Sequence, residues 1–409
     1  MLNFIWSGFF IIGIVVAFYQ ACSGNHDIWQ TMTNSLFDSA DSGFKIALNL
    51  TGMLCFWLGL LKIAEKSGLT SLLAKLLKPL FFKILPEIPK NSPAFGSITM
   101  NIASNILGLD NAATPMGLKA MAQLQQANPK KDTASPAQIL FMVINSSSVT
   151  IIPFTILMYR YQFGSTNPSL VFVPILLATS ISTLVGFLAT ALWQKINIFS
   201  PIILLYLVLG LLFITGTAFG FMQLDYQTRL NLMSSLSNGL LLGFIGLFIL
   251  SGLIKRQNVY ENFIVGAKEG FNIAVQIIPY LVAMLTAIAV FRASGSMDYI
   301  CAAIAKIFAY FNFNTDFIAG LPTALMKPLS GSGARAMMLD TFKTFGVDSF
   351  AGFVSSVVQG STETTFYVLA VYFGAVKISK TGAALPLALL ADFAGIVAAI
   401  VFSYIFYQG

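Results

Sequence analysis

Nine stretches of about twenty apolar residues, near 3–20, 44–63, 138–158, 169–193, 201–221, 237–254, 271–291, 350–373 and 383–406, decide what this chain can fold into. A helix needs about 20 such residues to cross the roughly 30 Å hydrocarbon core of a bilayer. In lipid every backbone polar group must be paired within its own segment, and the apolar-polar alternation of a membrane barrel is missing. The expected fold is therefore all-α and polytopic, with about nine long spans. Composition agrees: 56% of the 409 residues are hydrophobic and 10% are charged, too apolar a balance for a soluble chain of this length.

No Lys or Arg precedes the first stretch and no small-x-small cleavage site follows it, so Met1–Tyr19 reads as a retained span rather than a signal. Cys22, Cys55 and Cys301 are odd in number and scattered, which suggests small apolar filler and neither a disulfide framework nor a metal site. The net charge of +7 comes from residues that flank apolar stretches, so it does not indicate nucleic acid. It indicates orientation instead. Lys62, Lys66, Lys75, Lys78, Lys83, Lys90, Lys119, Lys130 and Lys131 crowd between the second and third stretches, whereas the 21–43 segment, read as a loop, carries Asp27, Asp38 and Asp41. Positive charge accumulates in cytoplasmic loops, which puts the N-terminus in the cytoplasm and the chain in the inner, cytoplasmic membrane.

The sequence also repeats itself. Gly43-Phe44-Lys45-Ile46-Ala47 matches Gly270-Phe271-Asn272-Ile273-Ala274 at an offset of 270 − 43 = 227, and Ser67-Gly68 matches Ser294-Gly295 in the same register. Gly117–Met121 matches Gly333–Met337 at 216, and Val143, Ser147 and Thr150 match Val357, Ser361 and Thr364 at 214. Ordered matches that include glycines and charged positions argue for duplication, with copies at 1–200 and 201–409. The unmatched stretch at 201–221 reverses the direction of the second copy, giving inverted repeats of the kind from which secondary transporters are built. Between spans, Leu69, Leu72, Leu73, Leu76, Leu77, Leu80 and Phe81 recur at helical spacing with Lys75 and Lys78 opposite, which predicts a helix on the membrane surface. A counterpart is expected near 299–308.

Polar breaks in the apolar pattern mark the candidate chemistry. The segment 97–118, with Asn101, Asn105, Asp110, Asn111 and Thr114, is too apolar for an aqueous loop and too interrupted for a span, so a re-entrant hairpin is expected. Its partner, Lys327–Arg335, holds the Pro and Gly that interrupt helices, together with Ser330, Ser332 and Arg335. Two long stretches are polar at their centres. One carries Asn145-Ser146-Ser147-Ser148, Thr150 and Pro153, and the other Gln359-Gly360-Ser361-Thr362-Glu363-Thr364, at repeat-equivalent positions. Broken transmembrane helices follow. A carboxylate near the bilayer centre costs roughly 2.5–3.5 kcal/mol on insertion scales, so Glu363 is expected to face the interior and either pair with a cation such as Arg335 or hold a proton. Hydrogen bonding between helices would account for a single polar cluster, but repeat-related pairs favour one central site.

These residues also carry a family resemblance. Asn101–Met121, Lys131–Ser135 and Val143–Val149 resemble the spore maturation protein A family. The stretch Pro279–Asp392, with Lys327–Arg335, Gln359–Tyr367 and Leu390-Ala391-Asp392, resembles the spore maturation protein B family, and the chain looks like a fusion of the two. Both fall in the nucleoside-recognition, or Gate, group, which by similarity includes the membrane part of ferrous-iron transporters and a piece of concentrative nucleoside transporters. The resemblance implies a transport-like fold, and the family name implies a role in spore core dehydration.

Taken together, the reading is a secondary transporter for a small polar solute, nucleoside-like or a small organic anion. Asn105, Asn111, Thr114, Asn145, Ser147, Ser148, Ser330, Ser332, Arg335, Gln359, Ser361, Thr362 and Glu363 would contact the solute. Asp110 and Glu363 would couple transport to H+ or Na+, with no cofactor and no metal. A non-transporting scaffold or sensor is the alternative, and a homodimer is the expected assembly. Catalysis is not expected. Gly331-Ser332-Gly333 suggests a nucleophile, but the sole histidine, His26, lies after the first span, and no phosphate-binding Gly-x-x-x-x-Gly-Lys pattern occurs.

Overall fold

The computed structural model describes residues 2–108, 110–147 and 149–407, without the side chains of 2–3 and 110–112. In chain order the helices are α1 (Leu2–Cys22), α2 (Ile28–Ser67), α3 (Leu69–Ile84), α4 (Ala94–Ile106), α5 (Asp110–Ala127), α6 (Pro136–Ser147), α7 (Phe154–Gln162), α8 (Phe172–Gln194) and α9 (Pro201–Met222). They continue as α10 (Tyr226–Ile254), α11 (Val259–Ala293), α12 (Ser296–Tyr310), α13 (Leu321–Met326), α14 (Gly331–Phe345), α15 (Phe350–Ser361), α16 (Thr365–Ala375) and α17 (Ala384–Tyr407). No strand occurs among the described residues, and an isolated bridge pairs Thr133 with Lys380.

Seven helices, α1, α2, α8, α9, α10, α11 and α17, are long and apolar enough to cross a bilayer. They account for seven of the nine apolar stretches. The other two are broken: 138–158 is α6, ending at Ser147, and α7, starting at Phe154, and 350–373 is α15 and α16 with 362–364 between them. Pro153 explains the first break, because it lacks an N–H and pushes the residue before it out of the helical region. Lipid-facing surface is plain on α9, where Leu204, Leu205, Leu209, Leu212 and Phe213 are all exposed. Such apolar exposure suits a hydrocarbon solvent and not water.

One expectation is corrected. The 21–43 segment is not an extended loop, because α2 begins at Ile28 and runs for 40 residues, about 60 Å at 1.5 Å each. Ile28, Met32 and Leu36 recur every four residues and pack with Ala17 and Val290, while Asp41 pairs with Lys45 one turn on, at 2.6 Å. The acidic residues thus decorate a helix whose other face is buried.

Contacts divide the chain into two units. The first comprises Met1–Gly59, Thr155–Pro168 and Phe263–Gln359, and the second comprises Leu60–Phe154, Ser169–Asn262 and Gly360–Gly409. Each draws on both halves of the sequence, so neither coincides with 1–200 or 201–409. In the first unit, α2 and α11 meet at a pair of glycines. A Cβ on Gly270 would lie 2.7 Å from the Cys55 nitrogen, and one on Gly43 would lie 3.1 Å from the Val282 Cα. The offset of 227 found in the sequence relates the two contacts, since 270 − 43 = 227 and 282 − 55 = 227. Local backbone repeats too. Gly68 and Gly295, 227 apart, take φ 82° and 73° at the starts of α3 and α12, and α6 and α15 are both 12 residues long, ending 214 apart.

In the second unit, the chain before α6 meets the chain after α16. Lys380 N donates to Asp132 O at 2.9 Å, Ala134 N donates to Lys380 O at 2.9 Å, and the Asp132 and Lys380 side chains pair at 2.7 Å. The hydrogen bond from Lys380, helped by Thr133, holds the Asp132 carboxyl below its ordinary range.

Candidate functional site

The site lies in the second unit, where the two helix breaks touch. Glu363 N donates to Ser146 O at 2.8 Å, and the Ser146 and Thr365 hydroxyls bond to each other. Thr183 Oγ1 donates to Ser147 O at 3.2 Å, and Ile151 N donates to Ile106 O at 2.8 Å. These bonds satisfy part of the main chain that the breaks leave unpaired, which is what unwound backbone requires inside an apolar protein.

Beside the breaks is a cavity of about 260 Å³ lined by Asn105, Thr114, Asn145, Glu363, Tyr367 and Tyr372, with Ala113, Val368 and Val371 as its apolar wall. Its amides are fixed in place. Asn145 Nδ2 is tied to Phe141 O at 2.8 Å, so Asn145 Oδ1 faces outward and accepts from Asn105 Nδ2 at 2.9 Å and from the Tyr372 hydroxyl at 3.3 Å. That hydroxyl accepts in turn from Asn101 Nδ2 at 3.2 Å, and Asn101 Nδ2 also donates to Ala113 O at 2.8 Å. The Tyr372 ring stacks on Phe141 at 5.6 Å. Its oxygen fits only because residue 117 is glycine, since a Cβ there would sit 2.2 Å away. Each amide nitrogen in this chain has a partner, so the amides present a defined hydrogen-bonding face rather than a fluctuating one, and Asn105 and Asn145 each keep a second N–H. Glu363 is exposed and enters no ion pair among the described residues, and Tyr367 leaves 61% of its surface open.

Four of the residues expected from sequence thus share one cavity: Asn105, Thr114, Asn145 and Glu363. Ser147, Ser361 and Thr362 are buried at the helix ends and do not line it. Ser147 Oγ turns back to Ile144 O at 3.3 Å. Asp110, Asn111 and Ser148 fall outside the described side chains. Tyr367 and Tyr372 were not singled out from sequence, since a tyrosine in an apolar helix is unremarkable by itself.

In the first unit, Ser330 caps α14, its Oγ accepting from Gly333 N at 3.0 Å with Ser332 Oγ 3.2 Å away. The Arg335 guanidinium lies over the Tyr159 ring at 5.7 Å, and Gln359 is buried near the end of α15. The same unit holds a cluster the sequence reading passed over. Buried Arg160 donates to Val347 O at 3.0 Å, Ser356 Oγ at 3.1 Å and Asp348 at 2.8 Å. Asp348 also accepts from Ser165 at 2.6 Å and from Thr166 N at 2.7 Å. Burial pushes the Asp348 carboxyl up, but these donors and Arg160 outweigh it and hold it below its ordinary range. The one sequence signal was an arginine directly after an apolar run. No group of three or more His, Cys, Asp or Glu placed to hold a metal occurs among the described residues.

The fold and site define a multi-pass membrane protein with paired discontinuous helices around a polar cavity. Residues 47–161 match the family model described as Gate, nucleoside recognition. Spore maturation protein B of Bacillus subtilis (strain 168) is 49% identical over 153 residues, covering 37% of this chain and 84% of that protein. Spore maturation protein A of the same organism is 39% identical over 182 residues, covering 44% of this chain and 90% of that protein. No solved structure gives a significant match. The chain belongs to the spore maturation protein A and B family, with the pattern of a fusion of the two.

Proposed function

We propose that this protein is a secondary-transporter-like carrier that moves a small polar, nucleoside-like solute through the cavity of its second unit. The observation that carries the proposal is the 260 Å³ cavity at two touching helix breaks, lined by two amides, a hydroxyl, a carboxylate and two tyrosines. Apolar packing alone has no use for that set. Fixed amides suit the donor and acceptor edges of a base, the open Tyr367 ring offers a stacking surface, and Glu363 suits a sugar hydroxyl. Between the two solute classes considered from sequence, the carboxylate in the cavity wall disfavours a small organic anion, because like charges repel. The nucleoside-recognition description of the matching family points the same way.

Glu363 is also the candidate for coupling to H+ or Na+. The twice-made contact of α2 and α11 supports two copies related by a pseudo-twofold, and with the charge-derived topology it supports inverted repeats and a cytoplasmic N-terminus. Against this stands the scaffold or sensor reading, which the hydrogen-bonded chain from Asn101 to Asn145 favours, since it would hold helices together without any solute.

Uptake of a nucleoside panel into proteoliposomes, under imposed pH or Na+ gradients, separates the two. The carrier reading expects saturable flux that Glu363→Gln uncouples from the gradient or reduces at least about tenfold, a change of roughly 1.4 kcal/mol or more in transition-state stabilisation. Absence of saturable flux and of any thermal stabilisation by the panel, in a folded protein, would leave the scaffold reading standing.

A further inference from the structure

The second unit contains another cavity of about 280 Å³ that the polar site does not use. Its wall is almost wholly apolar: Leu77, Leu80, Phe81 and Ile84 of α3 face Ile203, Leu207 and Ile214 of α9. Apolar cavities of even about 150 Å³ stay dry and take up apolar guests, so water is a poor occupant here. The wall positions on α9, at 203, 207, 210 and 214, follow a single helical face, while the opposite face of α9 is exposed apolar surface. One helix therefore stands between the cavity and the bilayer. It is fastened to α3 by the Tyr206 hydroxyl, which donates to Leu76 O at 2.8 Å.

The charge around α3 identifies the guest. Lys75, Lys78 and Lys83 are all exposed. At 100° per residue, Lys78 and Lys83 sit about 110° to either side of the stripe that lines the cavity, and their long stems reach toward a headgroup layer. Leu72 and Leu76, 57% and 60% exposed, share this outer surface, so α3 presents apolar and basic residues together to the interface. The nearby acid, Glu87, is occupied by the Ala137 backbone N–H.

We infer that this cavity is a lateral binding site for an anionic phospholipid, with one acyl chain between α3 and α9 and the headgroup in the field of the lysines that flank α3. A zwitterionic lipid lacks the net charge that the lysines select, and a detached apolar molecule would ignore them.

The test uses the full chain in nanodiscs that contain phosphatidylglycerol or phosphatidylcholine bearing a photoreactive group on the acyl chain, followed by peptide mapping. The expected result is labelling concentrated on residues 77–84 and 203–214 by the anionic probe. A Cβ on Gly210 meets nothing within 4 Å, so Gly210→Phe can fill the cavity without disturbing the backbone, and it should abolish that labelling while circular dichroism and melting stay unchanged. Lys78→Gln with Lys83→Gln should weaken the anionic probe roughly tenfold and leave the zwitterionic one as it was. Labelling spread evenly over the exposed helices, or equal for both headgroups, or indifferent to Gly210→Phe, would each overturn the assignment. Because none of these readings depends on solute flux, failure of the carrier proposal would leave the result intact.

Discussion

The two helix breaks follow helices of equal length, yet they present different groups to the cavity. α6 and α15 have the same length and end 214 positions apart, and the chain returns to helix at Phe154 after the first and at Thr365 after the second. The first supplies a neutral acceptor, Asn145 Oδ1, on which two donors converge. The second supplies the carboxyl group of Glu363 and a main-chain N–H that closes onto Ser146 of α6. The two breaks share a local geometry and differ in chemistry: the first presents a fixed amide, the second a carboxylate.

This difference can be tested by substitution. Asn145→Leu has the largest expected effect on stability, because it leaves Asn105 and Tyr372 as donors without their acceptor. About 2–3 kcal/mol of unfolding free energy should be lost, measured by denaturation in detergent micelles. Thr365→Val at the second break removes a single hydroxyl bond to Ser146 and should cost about 1 kcal/mol in the same assay. If the two variants cost the same, the breaks do not differ in what their hydrogen bonds contribute to stability. The smallest effect concerns the tie that flanks both breaks. Asp132 is held below its ordinary range in the folded chain, so its contribution is complete above the usual carboxylate range and is lost as the pH falls through the depressed value. The unfolding midpoint of Asp132→Asn should therefore lack the acid-side decline that the parent shows at this site, and at high salt the two curves should converge.

Residues that violate their surroundings were the ones legible in the sequence. Glu363 and Asn145 stood out because polar groups are costly in apolar runs, and Gly43 and Gly270 stood out because the repeat matched them. What escaped was whatever obeyed its local rule. The start of α2 carries Asp38 and Asp41 and resembles a loop, and only the burial of Ile28 and Met32 against Ala17 shows it to be helix. Tyr372 fits any apolar helix, and its role depends on Asn101 and Gly117, far away in sequence. Arg160 ended an apolar run as an interfacial anchor would, while its carboxylate partner lay 348 − 160 = 188 positions on. Long-range pairings of this kind have no periodicity to betray them.

The absent side chain at position 117 has an ancestral consequence. A tyrosine oxygen at position 372 and a bare Cα at position 117, 372 − 117 = 255 positions apart, form a single choice, so a lineage could alter one only after relaxing the other. Descendants that carry anything larger than glycine at the first position are expected to have traded the second for a shorter residue.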